Sequence, residues 1–290
     1  MILRKTKIVI SLLLAVIILL TGCDMPWNNG ASSADNSVNL QPFSVHFIDV
    51  GQGDAALIIN NGEAMLIDAG PNAAGHKVVS YIQAQGVMRL KYAVGTHPHE
   101  DHIGGLDNVI DAFDIDTVLM PDTDNTTKTF EDVLDAIERK NLKIDIPKPG
   151  DKLDLGGAEI TVLSPQPGQT YSDINDYSIV MRMIVGGYSF LFAGDSGQPT
   201  NKIMLDAGYT LRSDVYKVSH HGSEKNNAEA FINAISPRYA VISCGADNSY
   251  GLPDQKAINR LEAVGATVFR TDKNGTVVVT INNGQLKVEN

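Results

Sequence analysis

Five of the seven histidines in this 290-residue chain fall in two short clusters. One is Thr96-His97-Pro98-His99-Glu100-Asp101-His102 and the other is Ser219-His220-His221-Gly222-Ser223. Imidazoles bind borderline divalent ions, and a carboxylate among them widens the range of ions that can be held. The first cluster follows an apolar run at 92–94. In an extended chain residues two apart point the same way, so His97 and His99 can reach one ion. Pro98 stiffens that approach. Asp101 and His102 stand where the chain turns toward Gly104-Gly105 and a helix, and they offer a carboxylate and a third imidazole to a second ion beside the first. A solvated turn would account for an isolated histidine pair, but not for three imidazoles and a carboxylate within six residues at the end of an apolar strand. His46 and His76 have no such company and read as structural.

These side chains need a scaffold. Apolar runs rich in β-branched residues at 43–49, 55–59, 64–67, 92–94, 117–119, 160–163, 179–185, 189–192, 215–218, 240–242, 267–269 and 276–281 read as strands. Helical spacing is clearest in Phe130, Val133, Leu134 and Ile137, and it recurs over 76–85, 228–235 and 256–264. Hairpins first, then strands alternating with helices, predict an α/β protein whose sheets carry helices on their outer faces. Gly and Asp punctuate the strand ends at Asp49 to Asp54, Asp68-Ala69-Gly70, Gly194-Asp195 and His221-Gly222-Ser223. Each alone is an ordinary turn. Their shared position at strand ends, with the histidines, is the informative feature. No short-period repeat appears.

At the N-terminus Arg4, Lys5 and Lys7 precede an apolar run and then Leu20-Thr21-Gly22-Cys23. The run is about 13 residues, short of the roughly 20 that a spanning helix needs. Residues 1–22 therefore read as a signal peptide, and Leu-Thr-Gly-Cys resembles the bacterial lipoprotein box, with Cys23 the lipidated residue. Residues 23–42, rich in Asn, Ser, Gly and Pro, read as a flexible tether. That leaves 43–290 as one domain with ample core. The expected location is the outer face of the bacterial cytoplasmic membrane, held by a lipid anchor alone, and no obligate protein partner is evident. Cys23 and Cys244 are the only cysteines, so acylation of the first excludes an intrachain disulfide. The net charge is −11, and the leader holds cations only. That balance excludes a broad basic nucleic-acid surface, and a polyanionic substrate would have to be held by local cations and bound metal.

Taken together, these motifs resemble the metallo-β-lactamase superfamily, and more closely the stand-alone relatives of the hydrolase domain of ComEC-type competence proteins. The resemblance covers nearly all of 43–290: Phe47-Ile48-Asp49-Val50-Gly51-Gln52-Gly53-Asp54, Leu66-Ile67-Asp68-Ala69-Gly70, the first histidine motif, Asn175 with Ser178, Phe192-Ala193-Gly194-Asp195, Lys217 to Ser223, and Arg270-Thr271-Asp272. It implies a metallo-β-lactamase fold, an αββα sandwich of two mixed β-sheets flanked by helices, with the site at one rim. It also implies that His97 and His99 bind a first metal, Asp101 and His102 a second, and that Asp195 bridges them. One of His220 and His221 would complete the second site, and the other would stand behind it or donate a proton. Asp68 would orient a ligand imidazole from outside. The chain departs from the wider superfamily in two places. Where many members carry a further metal-binding histidine, this chain reads Asn175-Asp176-Tyr177-Ser178. The first metal then has fewer protein ligands, which favours a weakly held ion, manganese over zinc, and leaves one or two divalent ions open. Gly251-Leu252-Pro253 stands where ComEC-like chains often carry a histidine before the proline.

A pair of divalent ions lowers the pKa of bound water and stabilises both oxygens of an in-line displacement. The expected activity is thus phosphodiester hydrolysis by metal-activated hydroxide, of phosphodiesterase or nuclease type, on DNA or another phosphodiester. Asp101, His220 and His221 form the catalytic set, the spare histidine of the pair protonating the leaving group. Lys217, Ser223 and the N–H groups around Gly222 are candidate phosphate contacts, although Lys217 also reads as a plain surface cation. The alternatives are an envelope phosphodiesterase for phosphorylcholine or teichoic-acid esters, or a non-catalytic competence or envelope accessory protein. A lactonase or β-lactamase fits less well, because those branches usually keep the extra histidine.

Overall fold

The computed structural model describes residues 43–290. The expected leader, tether and lipidation site at Cys23 lie outside the described residues. The chain opens with strands β1 (Phe43–Phe47), β2 (Ala56–Asn60) and β3 (Glu63–Ile67), then helix α1 (Gly75–Ala84), β4 (Arg89–Val94), α2 (Glu100–Ile103), α3 (Leu106–Ala112), β5 (Asp114–Leu119), α4 (Lys128–Arg139) and β6 (Ile144–Asp145). It then crosses to β7 (Lys152–Leu155), β8 (Ala158–Ser164), β9 (Val180–Val185), β10 (Tyr188–Phe192), α5 (Gln198–Asp206), β11 (Val215–Lys217), α6 (Glu229–Ile235), β12 (Tyr239–Ile242), α7 (Gln255–Ala263), β13 (Thr267–Arg270) and α8 (Thr271–Asn274). Two last strands, β14 (Val277–Asn282) and β15 (Gln285–Glu289), return to the first sheet.

The first sheet runs β15-β14-β1-β2-β3-β4-β5-β6 and the second β13-β12-β11-β10-β9-β8-β7. Both are mixed. In the first, β1, β2 and β3 pair antiparallel and β3 to β6 parallel. In the second, β7 to β10 pair antiparallel and β10 to β13 parallel.

Strand alternation explains the layers. Ala56 and Ile58 of β2 point between the sheets, where they join Phe47, Met65, Val94, Met181, Phe190 and Phe192. Leu57 and Ile59 point the other way, onto Val78, Ile82, Leu106, Val109 and Val133 of α1, α3 and α4. On the far side Leu191, Tyr216, Ala240 and Ile242 pack under Met204, Phe231, Ile232 and Leu261 of α5, α6 and α7. Central strands buried on both faces have to be apolar throughout, which is why they stand out as continuous runs. The result is the expected αββα sandwich.

Three strands and three helices escaped the sequence pattern, α2 and α8 because each is a single turn of four residues. β6 is two residues long. β7 and β15 are edge strands, Lys-Leu-Asp-Leu and Gln-Leu-Lys-Val-Glu, in which charged or polar residues alternate with apolar ones, so neither has an apolar run. α5 begins Gln198-Pro199-Thr200-Asn201, which reads as a turn; Pro199 is tolerated only because the first helical N–H groups have no intrahelical acceptor. No described helix is long and apolar enough to cross a membrane.

The parallel strands decide where the chemistry goes. Asp68 follows β3, His97 follows β4, Asp195 follows β10, His220 and His221 follow β11, and Ser243 follows β12. The ends of strands from both sheets thus meet at one rim.

Candidate metal centre

Asp68 organises the first histidine loop. Its backbone is left-handed, φ 58°, and its carboxylate is buried. Oδ1 accepts from Thr96 N at 2.8 Å, and Oδ2 accepts from Thr96 Oγ1 at 2.7 Å and from His102 Nδ1 at 2.8 Å. A carboxylate that accepts from Nδ1 leaves the lone pair of the imidazole on Nε2. His102 Nε2 then lies 3.2 Å from Asp195 Oδ1. His97, fully buried, sets its Nε2 3.9 Å from Asp195 Oδ2 and 3.0 Å from His99 Nδ1. His99 stands at the cavity edge and touches the cluster through His97.

Asp195 hangs from a tight turn. Gly194 has φ 51°, and a Cβ there would come within 3.1 Å of Ser178. Ser178 Oγ accepts from Asp195 N at 3.0 Å and lies 3.4 Å from His97 Nδ1. Asn175, where the superfamily's extra histidine would stand, is buried, but its side chain reaches none of these groups and its Oδ1 has no partner. Ser178 is the residue of that segment that touches the centre.

His220 and His221 are both left-handed, φ 48° and 49°, a conformation that costs roughly 1–3 kcal/mol per non-glycine residue and persists only where the surroundings enforce it. The enforcement is visible. Tyr216 OH accepts from Ser219 N at 3.0 Å, Asn227 Nδ2 donates to Ser219 O and Ser223 O at 2.8 Å each, and His220 N donates to Gly194 O at 3.1 Å. The kink sends the two rings different ways. His221 Nδ1 donates to Ser243 O at 3.0 Å, which turns Nε2 toward Asp101 Oδ2 at 3.1 Å and Asp195 Oδ2 at 3.7 Å. His220 faces the cavity, 30% exposed, with Nε2 3.8 Å from Asp195 Oδ2. Thr271 Oγ1, in the Arg270-Thr271-Asp272 motif, bonds both N and O of Cys244 and so fixes the strand end that offers Ser243 O.

Donor atoms within 4.8 Å of one another form four groups: His97, His102 and Asp195; Asp101, His102 and His221; Asp54, Asp195 and His221; Asp54, Asp68 and His102. Asp54 is the residue that sequence reasoning treated as part of a turn. Its Oδ2 meets Lys217 Nζ at 2.6 Å and its Oδ1 lies 3.5 Å from His221 Nδ1. The signal was present, since Asp54 ends one motif and Lys217 begins another. Lys217 is accordingly no surface cation and no phosphate contact. It is buried, donating to Asp54 and to Val218 O at 2.9 Å. Ser223 does not reach the cavity either; its backbone closes the turn with His220 and Asn227. His46 bridges Ser44 Oγ and Tyr81 OH away from the centre, and His76 lies exposed on α1.

Charge is tightly organised here. Burial pushes Asp195 upward, but His102 and His221 outweigh it and hold the carboxyl well below its usual range. Burial also pushes Asp101 upward, and donation from His221 holds it at about 2. Burial pulls His221 down, but Asp195, Asp101 and Asp54 lift it to about 10. His102 is likewise lifted by Asp195 and Asp68 against burial. His97, buried beside His102, is driven well below the usual imidazole range. Two buried polar atoms, His102 Nε2 and Asp195 Oδ1, face each other at 3.2 Å without the alignment of a hydrogen bond. Unpartnered buried polar atoms are costly. Imidazole and carboxylate lone pairs aimed at common points are the donor set that suits zinc, manganese or iron, so these residues fit a divalent ion; His102, its Nδ1 held by Asp68, has one lone pair to give, and Asp195, with two oxygens and a place in two of the groups, is the residue that can serve a second ion beside the first.

Above the cluster opens a cavity of about 300 Å³, lined by Gln52, Glu100, Tyr250 and Leu252 together with His99, Asp101, Asp195, His220 and His221. Among the described residues, no lysine or arginine lines it.

Residues 48–246 match the Metallo-beta-lactamase superfamily. The chain is 30% identical over 257 residues to ComE operon protein 3 of Bacillus subtilis, covering 82% of this chain and 33% of that protein. It is 27% identical over 252 residues to Recombination protein 2 of Haemophilus influenzae, covering 85% and 30%. The chain thus spans about a third of the length of these curated relatives. Among solved structures it superposes on the metallo-beta-lactamase fold protein YhfI from Bacillus subtilis with a TM-score of 0.56 at 14% identity, covering 82% of this chain and 98% of that one; at that identity the likeness speaks to fold alone. With the fold, the histidine motif and the donor cluster in place, the match over residues 48–246 makes this chain a member of the metallo-β-lactamase superfamily of metal-dependent hydrolases.

Proposed function

We propose that the protein is a metal-dependent phosphodiesterase, of nuclease type, acting outside the cytoplasmic membrane. The observation that carries this reading is the pair of donor groups joined at Asp195, His97-His102-Asp195 and Asp54-Asp195-His221, at the floor of an open cavity that no lysine or arginine lines among the described residues. A phosphoryl group entering that cavity meets carboxylates and imidazoles, so its charge has to be offset by bound ions. When bound, divalent ions bring the pKa of water toward 7 and neutralise charge on a phosphoryl oxygen.

The rest falls to the chain's own residues. Asp68 and Ser243 O hold the His102 and His221 rings with Nε2 inward. Ser178 holds Asp195 by its backbone. His220, the cavity-facing member of the pair, is placed to deliver a proton from Nε2 to the leaving oxygen. Tyr250, 71% exposed at the mouth, offers a ring on which a nucleobase can stack, which supports nucleic acid over smaller envelope esters. The two curated relatives named for the ComE operon and for recombination lend the same support. The extracytoplasmic location rests on the leader and the Leu-Thr-Gly-Cys box of the sequence.

The test is turnover of a bis-aryl phosphodiester, single-stranded DNA and a phosphorylcholine ester with added Mn²⁺ or Zn²⁺. Asp195→Ala is expected to abolish turnover of every ester that the wild type cleaves. Unchanged turnover in that variant would contradict the bridging role of Asp195, and inertness toward all three esters would contradict the phosphodiesterase reading.

A further inference from the structure

Strands β10, β11 and β12 carry the metal cluster at their C-terminal ends. Around their N-terminal ends lies a second cavity, of about 430 Å³, whose lining includes Arg182, Arg212, Arg238, Ser189, Ser213 and Asp214. The two cavities share no lining residue. Six residues separate Ser189 from Asp195 and Asp214 from His220, so at about 3.3 Å per strand residue the cavities stand roughly 20 Å apart, on opposite rims of one sheet.

Of the arginines in 43–290, Arg89, Arg139 and Arg270 pair with Asp116, Asp111 and Asp272. Arg260 is occupied by the carbonyls of Glu224 and Asn227. The remaining three, Arg182, Arg212 and Arg238, have no ion-pair partner among the described residues, and all three line this cavity.

They are also held. Arg182 donates Nε and Nη2 to Arg212 O at 3.0 and 2.9 Å. The Arg238 guanidinium lies 4.8 Å from the centre of the Tyr239 ring. Asp214 makes no ion pair with any of them, its Oδ2 being turned to Ser189, from which it accepts from N at 2.8 Å and Oγ at 2.9 Å, and its single charge offsets at most one of the three. Three guanidinium groups facing one committed carboxylate give a local positive excess on a chain of net charge −11. Gathering like charges costs free energy unless an anion shares the space, and the planar guanidinium fork with nearby hydroxyls matches a phosphate in geometry.

We infer that this rear cavity, formed by Arg182, Arg212 and Arg238, is a phosphate-binding site separate from the metal centre. Free phosphate and the backbone phosphate of a phosphodiester polymer present the same chemistry. In the second case the site would anchor a distant stretch of the polymer, giving an acidic protein a foothold on a polyanion.

The metal-loaded full chain is titrated calorimetrically with inorganic phosphate and with a single-stranded oligonucleotide, as wild type and as Arg212→Ala with Arg238→Ala. Both arginines are exposed, and an unchanged melting temperature confirms the fold of the variant. The wild type is expected to show a class of phosphate site that survives Asp195→Ala, and the double arginine variant to weaken that class at least tenfold. A matching loss of oligonucleotide affinity identifies the polymer backbone as the ligand, and loss of phosphate binding alone identifies a small phosphate. Bis-aryl phosphodiester turnover is expected to stay unchanged in the arginine variant whatever the outcome for the metal centre. Phosphate binding that is absent from the wild type, or equal in wild type and arginine variant, overturns the inference. A fall in small-ester turnover alongside binding overturns the separateness of the site.

Discussion

Replacing Asp68 by Asn removes one charge and almost no volume, yet it should disable the centre from behind. Asp68 accepts three hydrogen bonds, from Thr96 N, Thr96 Oγ1 and His102 Nδ1. An asparagine oxygen can keep the bond from Thr96 N. Its NH₂ then occupies the place of Oδ2, where Thr96 Oγ1 can turn to accept but His102 Nδ1–H meets a second donor. The ring relieves that conflict by moving its proton to Nε2, the atom that faces Asp195 Oδ1 at 3.2 Å, and the lone pair available to an ion is lost. Groups that orient a metal-bound imidazole are worth about 10- to 100-fold in metal affinity, or about 1.4–2.7 kcal/mol. The assay is competition for Zn²⁺ or Mn²⁺ against a chromogenic chelator, with the His102 tautomer read from its ¹⁵N shifts. Affinity equal to wild type, with the Nδ1–H tautomer retained, would refute the reasoning.

Two further outcomes follow from groups outside the donor set. Burial holds His46 at about 4 against an ordinary 6.5, so the folded chain resists a proton that the unfolded chain accepts. The stability from this group is complete above about pH 6.5 and is lost as pH falls toward 4, by about 3 kcal/mol; urea midpoints of His46→Gln should fall less over that window than those of wild type, and an equal fall would rule out His46 as the source. Gly53 has φ 143° and a Cβ there would sit 2.3 Å from Asp101 O, whereas Gly51, φ 78°, faces open space. Gly53→Ala should cost about 1–3 kcal/mol and displace Asp101, lowering metal affinity; Gly51→Ala should leave metal affinity intact, and identical behaviour of the two would show that contact with the Asp101 loop is not the cause.

The layers and the histidine motif were legible because both are local. Strands buried on two faces show as apolar runs, and His97, His99, Asp101 and His102 fall within six residues. The edges were not legible, because β7 and β15 alternate charged or polar residues with apolar ones and their pairing is decided by distant strands. The division of labour between His220 and His221 was equally hidden. It depends on the left-handed backbone of the pair itself, enforced by Tyr216 and Asn227 beneath the turn, and on Ser243 O offered from the end of β12, none of these three residues being adjacent to the pair. Asp54 and Lys217 are separated by most of the chain, so each reads alone as a turn or a surface residue until the fold brings them within 2.6 Å.

The most direct measurement is an anomalous difference map from crystals grown with Mn²⁺ or Zn²⁺. Density is expected between Asp195 Oδ1 and His102 Nε2, with His97 and His221 as neighbours, and it should vanish in Asp195→Ala. A fully occupied ion elsewhere on the protein, with no density in that cluster, would contradict the account.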